Sequence, residues 1–270
     1  MAATEVGDAR QLTAQAVERH CIASVSAAGH ACVAVKLQLA CFERLGAPGW
    51  RALERVAGWA RDAGLLVIAD GKRGDVPATA RAYAQALLGS TPGPFGVVPG
   101  LGADAVTVNP LLGRDALEPF VEAAAAVGAG LFVLVRTSNR GAGELQDEGP
   151  EPLHERLARL VDELGAPHVG QAGLSLVGAV TGATRPELLG RLRELMPRAV
   201  FLLPGVGAQG GRVEELGPAF APHPAAGLVT ASRSIVNAHE QRGGDPGRAA
   251  AVAAEELRAA AWSLHSARRS

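Results

Sequence analysis

Short runs of Val, Ile, Leu and Ala alternate along this chain with longer segments rich in Ala, Leu, Arg and Glu, in which apolar residues recur at helical spacing. A short continuous apolar run reads as a strand buried on both faces, and a recurrence near 3.6 residues as a helix with one buried face. The pattern places strands near 31–36, 65–70, 104–109, 130–136, 176–181, 199–203 and 227–231. Helices are expected over 11–27, 49–63, 76–88, 114–127, 151–164, 186–195, 211–219 and 245–262. Gly and Pro punctuate the joins, as at 93–100 and 204–207. Strands that alternate with crossover helices form a parallel sheet, and 270 residues suit one α/β domain over 1–270 of the TIM (β/α)8-barrel type. Seven strands is one short of a closed barrel, and nothing before Thr13 reads as a strand. The expected fold is therefore a barrel whose first strand is absent or atypical.

Composition narrows the functional classes. A formal net charge of -1 leaves no sequence-wide basic field to gather nucleic acid or coat an anionic membrane. A small phosphorylated molecule stays in play, because it needs only a local site. The N-terminus lacks an apolar leader core and no stretch approaches the roughly 18 apolar residues of a membrane span, so a cytoplasmic protein is expected. Cys21, Cys32 and Cys41, odd in number and without a C-x-x-C pair, read as free thiols. The seven histidines, His20, His30, His154, His168, His223, His239 and His265, read as surface or packing residues. Trp50, Trp59 and Trp262 lie in helical segments and read as packing a helix face, and the tail Arg268-Arg269-Ser270 as solvated.

Candidate chemistry starts from a bias. Lys and Arg number 26, yet only Lys36 and Lys72 are lysines, and a lysine offers what a guanidinium cannot, a compact ammonium able to release a proton. Each follows an apolar strand: Lys36 ends Ala31-Cys32-Val33-Ala34-Val35, and Lys72 lies in Asp70-Gly71-Lys72-Arg73-Gly74-Asp75. Residues two apart on a strand share a face, so Asp70 and Lys72 are expected to point together toward the barrel mouth, with Lys36 level on the neighbouring strand. Asp75 can cap the next helix, ahead of Pro77, and Asp70 with Lys72 can be a structural ion pair. Four crowded charges are a costly way to stabilise a fold, but they shift one another's protonation as catalytic groups do. A second feature, Gly205-Val206-Gly207-Ala208-Gln209-Gly210, formally matches a dinucleotide-binding G-x-G-x-x-G, but it follows the penultimate strand, where barrels hold phosphate. Backbone N–H groups freed by the glycines, the start of the next helix and Arg233 are expected to grip a dianionic phosphate; an ordinary turn beside a surface arginine is the plainer alternative.

Lys36 with Gln38, Ala40, Phe42 and Glu43, then Asp70-x-Lys72-Arg73-Gly74-Asp75-x-x-x-Thr79, resembles the orotidine 5′-phosphate decarboxylase family, in the branch with a "DAKRGDI" signature. Asp104-Ala105-Val106-Thr107-Val108, Thr137-Ser138-Asn139, Gly182-Ala183-Thr184, the 204–210 segment and Ser232-Arg233 extend the resemblance over most of the chain. It implies a catalytic tetrad of Lys36, Asp70, Lys72 and Asp75, with Lys72 delivering the proton that replaces carbon dioxide and no metal or organic cofactor. Thr79, Ser138, Pro204, Gly207, Gln209, Gly210 and Arg233 are the implied substrate contacts: Ser138 reads the pyrimidine and Gln209 closes over phosphate and base. The resemblance also implies a homodimer in which Asp75 and Thr79 act in trans. The family's opening strand, with its Asp in a "VGxDP"-like segment, has no counterpart here, and Asp8 is a poor substitute. A shortened N-terminus, an unconventional filling by residues 1–10, or cover from a partner are the three readings. Leu37, Gly71, Asn109, Leu111 and Arg140 depart from the family pattern, and Arg136 is expected to add a cation near the base. Two alternatives to decarboxylation of orotidine 5′-phosphate follow: a relative acting on a modified pyrimidine nucleotide or sugar-phosphate acid, and an inactive phosphonucleotide-binding protein.

Overall fold

The computed structural model describes residues Ala2–Ser266, and the Arg268-Arg269-Ser270 tail lies outside them. Among the described residues the strands are β1 (Ala34–Gln38), β2 (Leu66–Arg73), β3 (Ser90–Gly93), β4 (Gly96–Pro99), β5 (Ala105–Val108), β6 (Gly130–Arg136), β7 (Val177–Thr181), β8 (Phe201–Leu203) and β9 (Gly227–Val229). The helices are α1 (Ala2–Ala28), α2 (Leu39–Glu43), α3 (Gly46–Asp62), α4 (Pro77–Leu87), α5 (Arg114–Val127), α6 (Gly143–Gln146), α7 (Leu153–Gly165), α8 (Leu189–Leu195), α9 (Arg233–Val236), α10 (Ala238–Arg242) and α11 (Pro246–Ser266). All seven strands expected from the apolar runs form one curled parallel sheet, in the order β1-β2-β5-β6-β7-β8-β9.

Both faces of this sheet are buried, and successive residues serve different layers. Ile68, Ala105, Phe132, Val180 and Leu202 meet inside the curl. Their neighbours Val67, Ala69, Val106, Leu131 and Val133 point outward into the larger core shared with the helices. In α3, Ala52, Leu53, Val56, Ala57 and Ala60 form the buried stripe, as the helical spacing requires. Each fully buried Leu or Val there contributes about 1.5–3 kcal/mol relative to exposure. The same alternation carries Lys36, Asp70 and Thr107, two residues beyond Ala34, Ile68 and Ala105, to the inner face at the carboxyl ends of three adjacent strands.

The sheet does not close. Among the described residues β1 and β9 share no pairing, and residues Ala2–Ala28, where no strand was expected, form α1, Asp8 included. Residues 2–10 therefore do not supply a stave. Beside the opening, Ala28 and Ala31 pack against Ile235, Ala250 and Ala254, so that α1 and the turn after it join α9 and α11.

Two stretches depart from the pattern. The Gly- and Pro-rich join at 93–100 belongs to an exposed antiparallel hairpin, β3 with β4, that leaves the end of α4. The helix expected over 211–219 is replaced by two 3₁₀ turns, Val213–Glu215 and Gly217–Phe220, because Gly217 and Pro218 interrupt it. Trp50 and Trp59 sit on α3 partly exposed, and Trp262 stands 67% exposed on α11, so it packs little.

Candidate active site

Asp70 is the centre of the charged cluster and is only 4% exposed. One carboxylate oxygen accepts from Lys36 Nζ at 2.5 Å and the other from Lys72 Nζ at 2.5 Å. Burial pushes this carboxyl up, but the two ammonium groups outweigh burial and hold it below its ordinary value. Lys36 is mostly enclosed, whereas the Lys72 side chain is 43% exposed. One ammonium is thus enclosed, and the other reaches solvent.

The pairing of Asp70 with Lys72 is reached by a route that simple alternation does not describe. The β2–β5 register shifts between Ala69 and Arg73, and Lys72 has φ 50°, the one non-glycine residue in the left-handed region among the described residues. Thr107 of β5 holds this irregular backbone. Its hydroxyl accepts the Lys72 N–H at 2.9 Å and donates to Asp70 Oδ1 at 2.9 Å, and the residue is 1% exposed. Thr107 belongs to one of the segments that carry the family resemblance, but the sequence assigned it no role, because a Thr inside Ala-Val-Thr-Val does not by itself reveal a hydrogen-bonding partner. Gln38 Nε2 donates to the Asp70 carbonyl at 3.2 Å, and Arg73 pairs with Glu43 while lying 5.5 Å from the centre of the Tyr83 ring.

Asp75 does not join the cluster within this chain. Its carboxylate accepts the Val76 N–H at 2.7 Å and forms no ion pair among the described residues, and Thr79 is exposed on the first turn of α4. Val76, rather than Asp75, is the residue preceding that helix.

The second cluster gathers on Gly205, which has φ 105°. A Cβ placed there would lie 3.1 Å from both Ser138 Cβ and Gln209 Oε1 and 3.2 Å from Thr184 Cγ2, so these side chains converge on a space that only glycine leaves open. Gly207, at φ 74°, brings the loop against Ser234, beside the exposed Arg233. The 204–211 loop, which begins at Pro204, spends part of its donor capacity on itself. Gly207 N–H donates to Gly211 O, Gly210 N–H to Gly207 O and Gly211 N–H to Gly205 O. The expectation of N–H groups freed at the glycines holds at Gly205 but not at Gly207, Gly210 or Gly211; the N–H groups of Gly205, Val206, Ala208 and Gln209 are those of the loop without a hydrogen bond among the described residues. Only a 3₁₀ turn, Val213–Glu215, follows this loop, in place of the expected α-helix.

Arg136 also departs from expectation. It is 4% exposed and chelates Asp147 through Nε and Nη2, each at 2.8 Å, so its charge is committed and not offered to a base. His154 is buried beside it, with Nδ1 donating to the Gln146 carbonyl at 2.7 Å. The side chain of His265 lies outside the described residues.

Residues 13–243 match the sequence profile of the orotidine 5′-phosphate decarboxylase / HUMPS family. The chain belongs to that family. It is 44% identical to the orotidine 5′-phosphate decarboxylase of Rhodopirellula baltica over 233 residues, which cover 84% of this chain and 75% of that one. It is also 44% identical to the Deinococcus radiodurans orotidine 5′-phosphate decarboxylase over 257 residues, 95% of this chain and 87% of the other. Among solved structures, an OMP decarboxylase from Leishmania donovani superposes with a TM-score of 0.71 at 31% identity, covering 92% of this chain and 89% of that one. In this chain Lys36, Asp70 and Lys72 form one connected array at the ends of two strands of the seven-stranded sheet. Among the described residues no helix is long and apolar enough to cross a membrane.

Proposed function

We propose that this chain is a cofactor-independent carboxy-lyase that converts orotidine 5′-phosphate to uridine 5′-phosphate and carbon dioxide in pyrimidine nucleotide biosynthesis. The observation that carries this reading is the Lys36–Asp70–Lys72 array, in which one buried carboxylate fixes two ammonium groups at the barrel mouth. When the bond between C6 and the carboxylate carbon breaks, its electron pair stays on C6, in an orbital the ring delocalises poorly. Lys72, held by Asp70 and the Thr107-anchored backbone, puts fixed positive charge beside that pair before it forms. The pair then takes a proton from Lys72 Nζ, and water restores the ammonium. Asp70, Lys36 and Lys72 need no metal or organic cofactor for these steps.

Ser138 and Gln209 meet the pyrimidine, and Ala208 and Gln209 N–H groups with Arg233 receive the phosphate; Pro204, Gly207 and Gly210 shape that loop. The working unit is a homodimer, each subunit one barrel domain, in which Asp75 and Thr79 of one protomer complete the site of the other. In support, Asp75 has no ion-pair partner in its own chain among the described residues, and Val76 beside it and Leu111 and Leu112 on the adjoining loop expose apolar side chains. The free thiols Cys21, Cys32 and Cys41 fit a reducing cytoplasm.

Loss of the orotate absorbance on incubation with orotidine 5′-phosphate tests the reaction. Wild type turns the substrate over, and Lys72→Ala reduces kcat by at least about 10²–10³-fold with the fold retained by circular dichroism. Mixing inactive Lys72→Ala with inactive Asp75→Ala rebuilds intact sites in hybrid dimers and restores activity. A wild-type chain that binds uridine 5′-phosphate but releases no carbon dioxide refutes the catalytic reading, and mixed variants that stay inert refute the shared site.

A further inference from the structure

The segment that leaves β6 and carries Ser138 returns to its own starting point. Arg136 ends the strand, and eleven residues later Asp147 closes the loop with both carboxylate oxygens on the Arg136 guanidinium. A second link lies parallel to the first. Thr137 N–H donates to Gln146 Oε1 at 2.9 Å, and Gln146 Nε2 donates to Thr137 Oγ1 at 3.0 Å. His154 of α7 donates to the Gln146 carbonyl, and Arg185 Nη1 donates to Asp147 Oδ2 at 3.1 Å, so the clasp is tied to two further elements. The Arg136 hydrogen bonds hold the Asp147 carboxyl below its ordinary value and keep it ionised at neutral pH.

Most surface ion pairs contribute little. This one differs in geometry and burial: it is bidentate, and its guanidinium is nearly out of water, so both partners have few alternative arrangements. Ser138 is the first residue inside the neck after Thr137, and its carbonyl accepts from Thr184 Oγ1 at 3.3 Å. Its backbone is further fenced by Gly182, whose hypothetical Cβ would lie 2.8 Å from Ser138 Cα. The position of the Ser138 backbone is therefore set from outside the loop, by the clasp on one side and the glycine wall on the other.

We propose that Asp147 is a positioning residue for base recognition: through Arg136 it fixes the neck of the 137–147 loop and so places Ser138 against the pyrimidine. The inference rests on the reading of Ser138 as the pyrimidine contact. Asp147 touches no part of the substrate itself, and the phosphate and ribose contacts come from other loops.

The test compares two ligands that share the phosphate but not the base. Calorimetric affinities for uridine 5′-phosphate and for ribose 5-phosphate are measured on wild type, Asp147→Asn and Asp147→Glu, with KM and kcat for orotidine 5′-phosphate. Asp147→Asn is expected to weaken uridine 5′-phosphate about tenfold and raise KM by a similar factor. Ribose 5-phosphate affinity stays within about twofold, and Asp147→Glu, which keeps the charge, recovers most of the loss. Should Asp147→Asn not fold, Gln146→Ala cuts only the second link and is read in the same way. Equal loss for both ligands, or an unchanged ratio with a lowered melting temperature, overturns the proposal and leaves the clasp a stability element. Wild type that fails to bind uridine 5′-phosphate at all overturns the parent reading instead, and the positioning role with it.

Discussion

Replacing Thr107 by Val keeps the shape of a 1% exposed side chain and removes one hydroxyl, so it isolates two hydrogen bonds. The bond to the Asp70 carboxylate is charge-assisted and contributes about 1.5–3 kcal/mol. The Lys72 N–H loses its acceptor as well, at about 1 kcal/mol, the low end of the range because Lys72 is exposed and water reaches it. The sum is about 3 kcal/mol, which for a chain of this size lowers Tm by about 6–12 °C. The catalytic cost comes from position rather than charge. With its N–H released, the left-handed Lys72 is free to relax, and a displacement near 1 Å costs about 10²-fold in kcat/KM. Thr107→Ser keeps both bonds, loses only a methyl at about 1 kcal/mol, and retains activity close to wild type. Thermal unfolding followed by circular dichroism and the orotate absorbance assay read the two quantities on the same samples. If Thr107→Val melts within about 2 °C of wild type with unchanged kcat/KM, the hydroxyl does not hold the array and the account of Lys72 is wrong.

Three further outcomes are expected. Asp70 has a folded-state pKa below its ordinary 3.8, so its stabilising contribution is fully present above the unfolded value and lost as pH falls through the folded one; urea midpoints of wild type should drop below about pH 4, and Asp70→Asn should flatten that part of the profile. Gly182→Ala puts a methyl 2.8–3.0 Å from Ser138 atoms and should raise KM for orotidine 5′-phosphate several-fold at a stability cost of about 1–3 kcal/mol, read by steady-state kinetics and urea titration. Arg193→Met removes a buried guanidinium that donates to the carbonyls of Met196, Ala199, Ala219 and Ala226, and should destabilise by about 3 kcal/mol while leaving kcat at 25 °C unchanged.

The seven staves were legible because each is an apolar run bounded by Gly, Pro or charge, and burial of both sheet faces makes such runs nearly continuous. The hairpin at 90–99 was not legible, since its Pro92, Gly93, Pro94, Gly96 and Pro99 carry turn chemistry rather than strand propensity, and it is exposed instead of packed. At the candidate site, the scarcity of lysine singled out Lys36 and Lys72, and the structure brings both ammonium groups to Asp70. The backbone device that completes the contact, a left-handed Lys72 pinned by Thr107, has no one-dimensional signature. Arg136 was misread for a related reason. Its partner Asp147 lies in a loop whose closure depends on tertiary contacts to His154 and Arg185, so the guanidinium looked available when only its strand was known.

The opening between β1 and β9, bridged by Ala28 and Ala31 against Ile235, Ala250 and Ala254, dictates an order of events during synthesis. A nascent chain that has emerged through β9 carries both raw sheet edges with no C-terminal helix beside them, and such edges invite pairing between ribosome-bound neighbours. α1 packs against both α3 and α11, so its burial is complete only once α11 is in place. Docking of α11 against α1 and α9 is thus what covers this side of the open sheet.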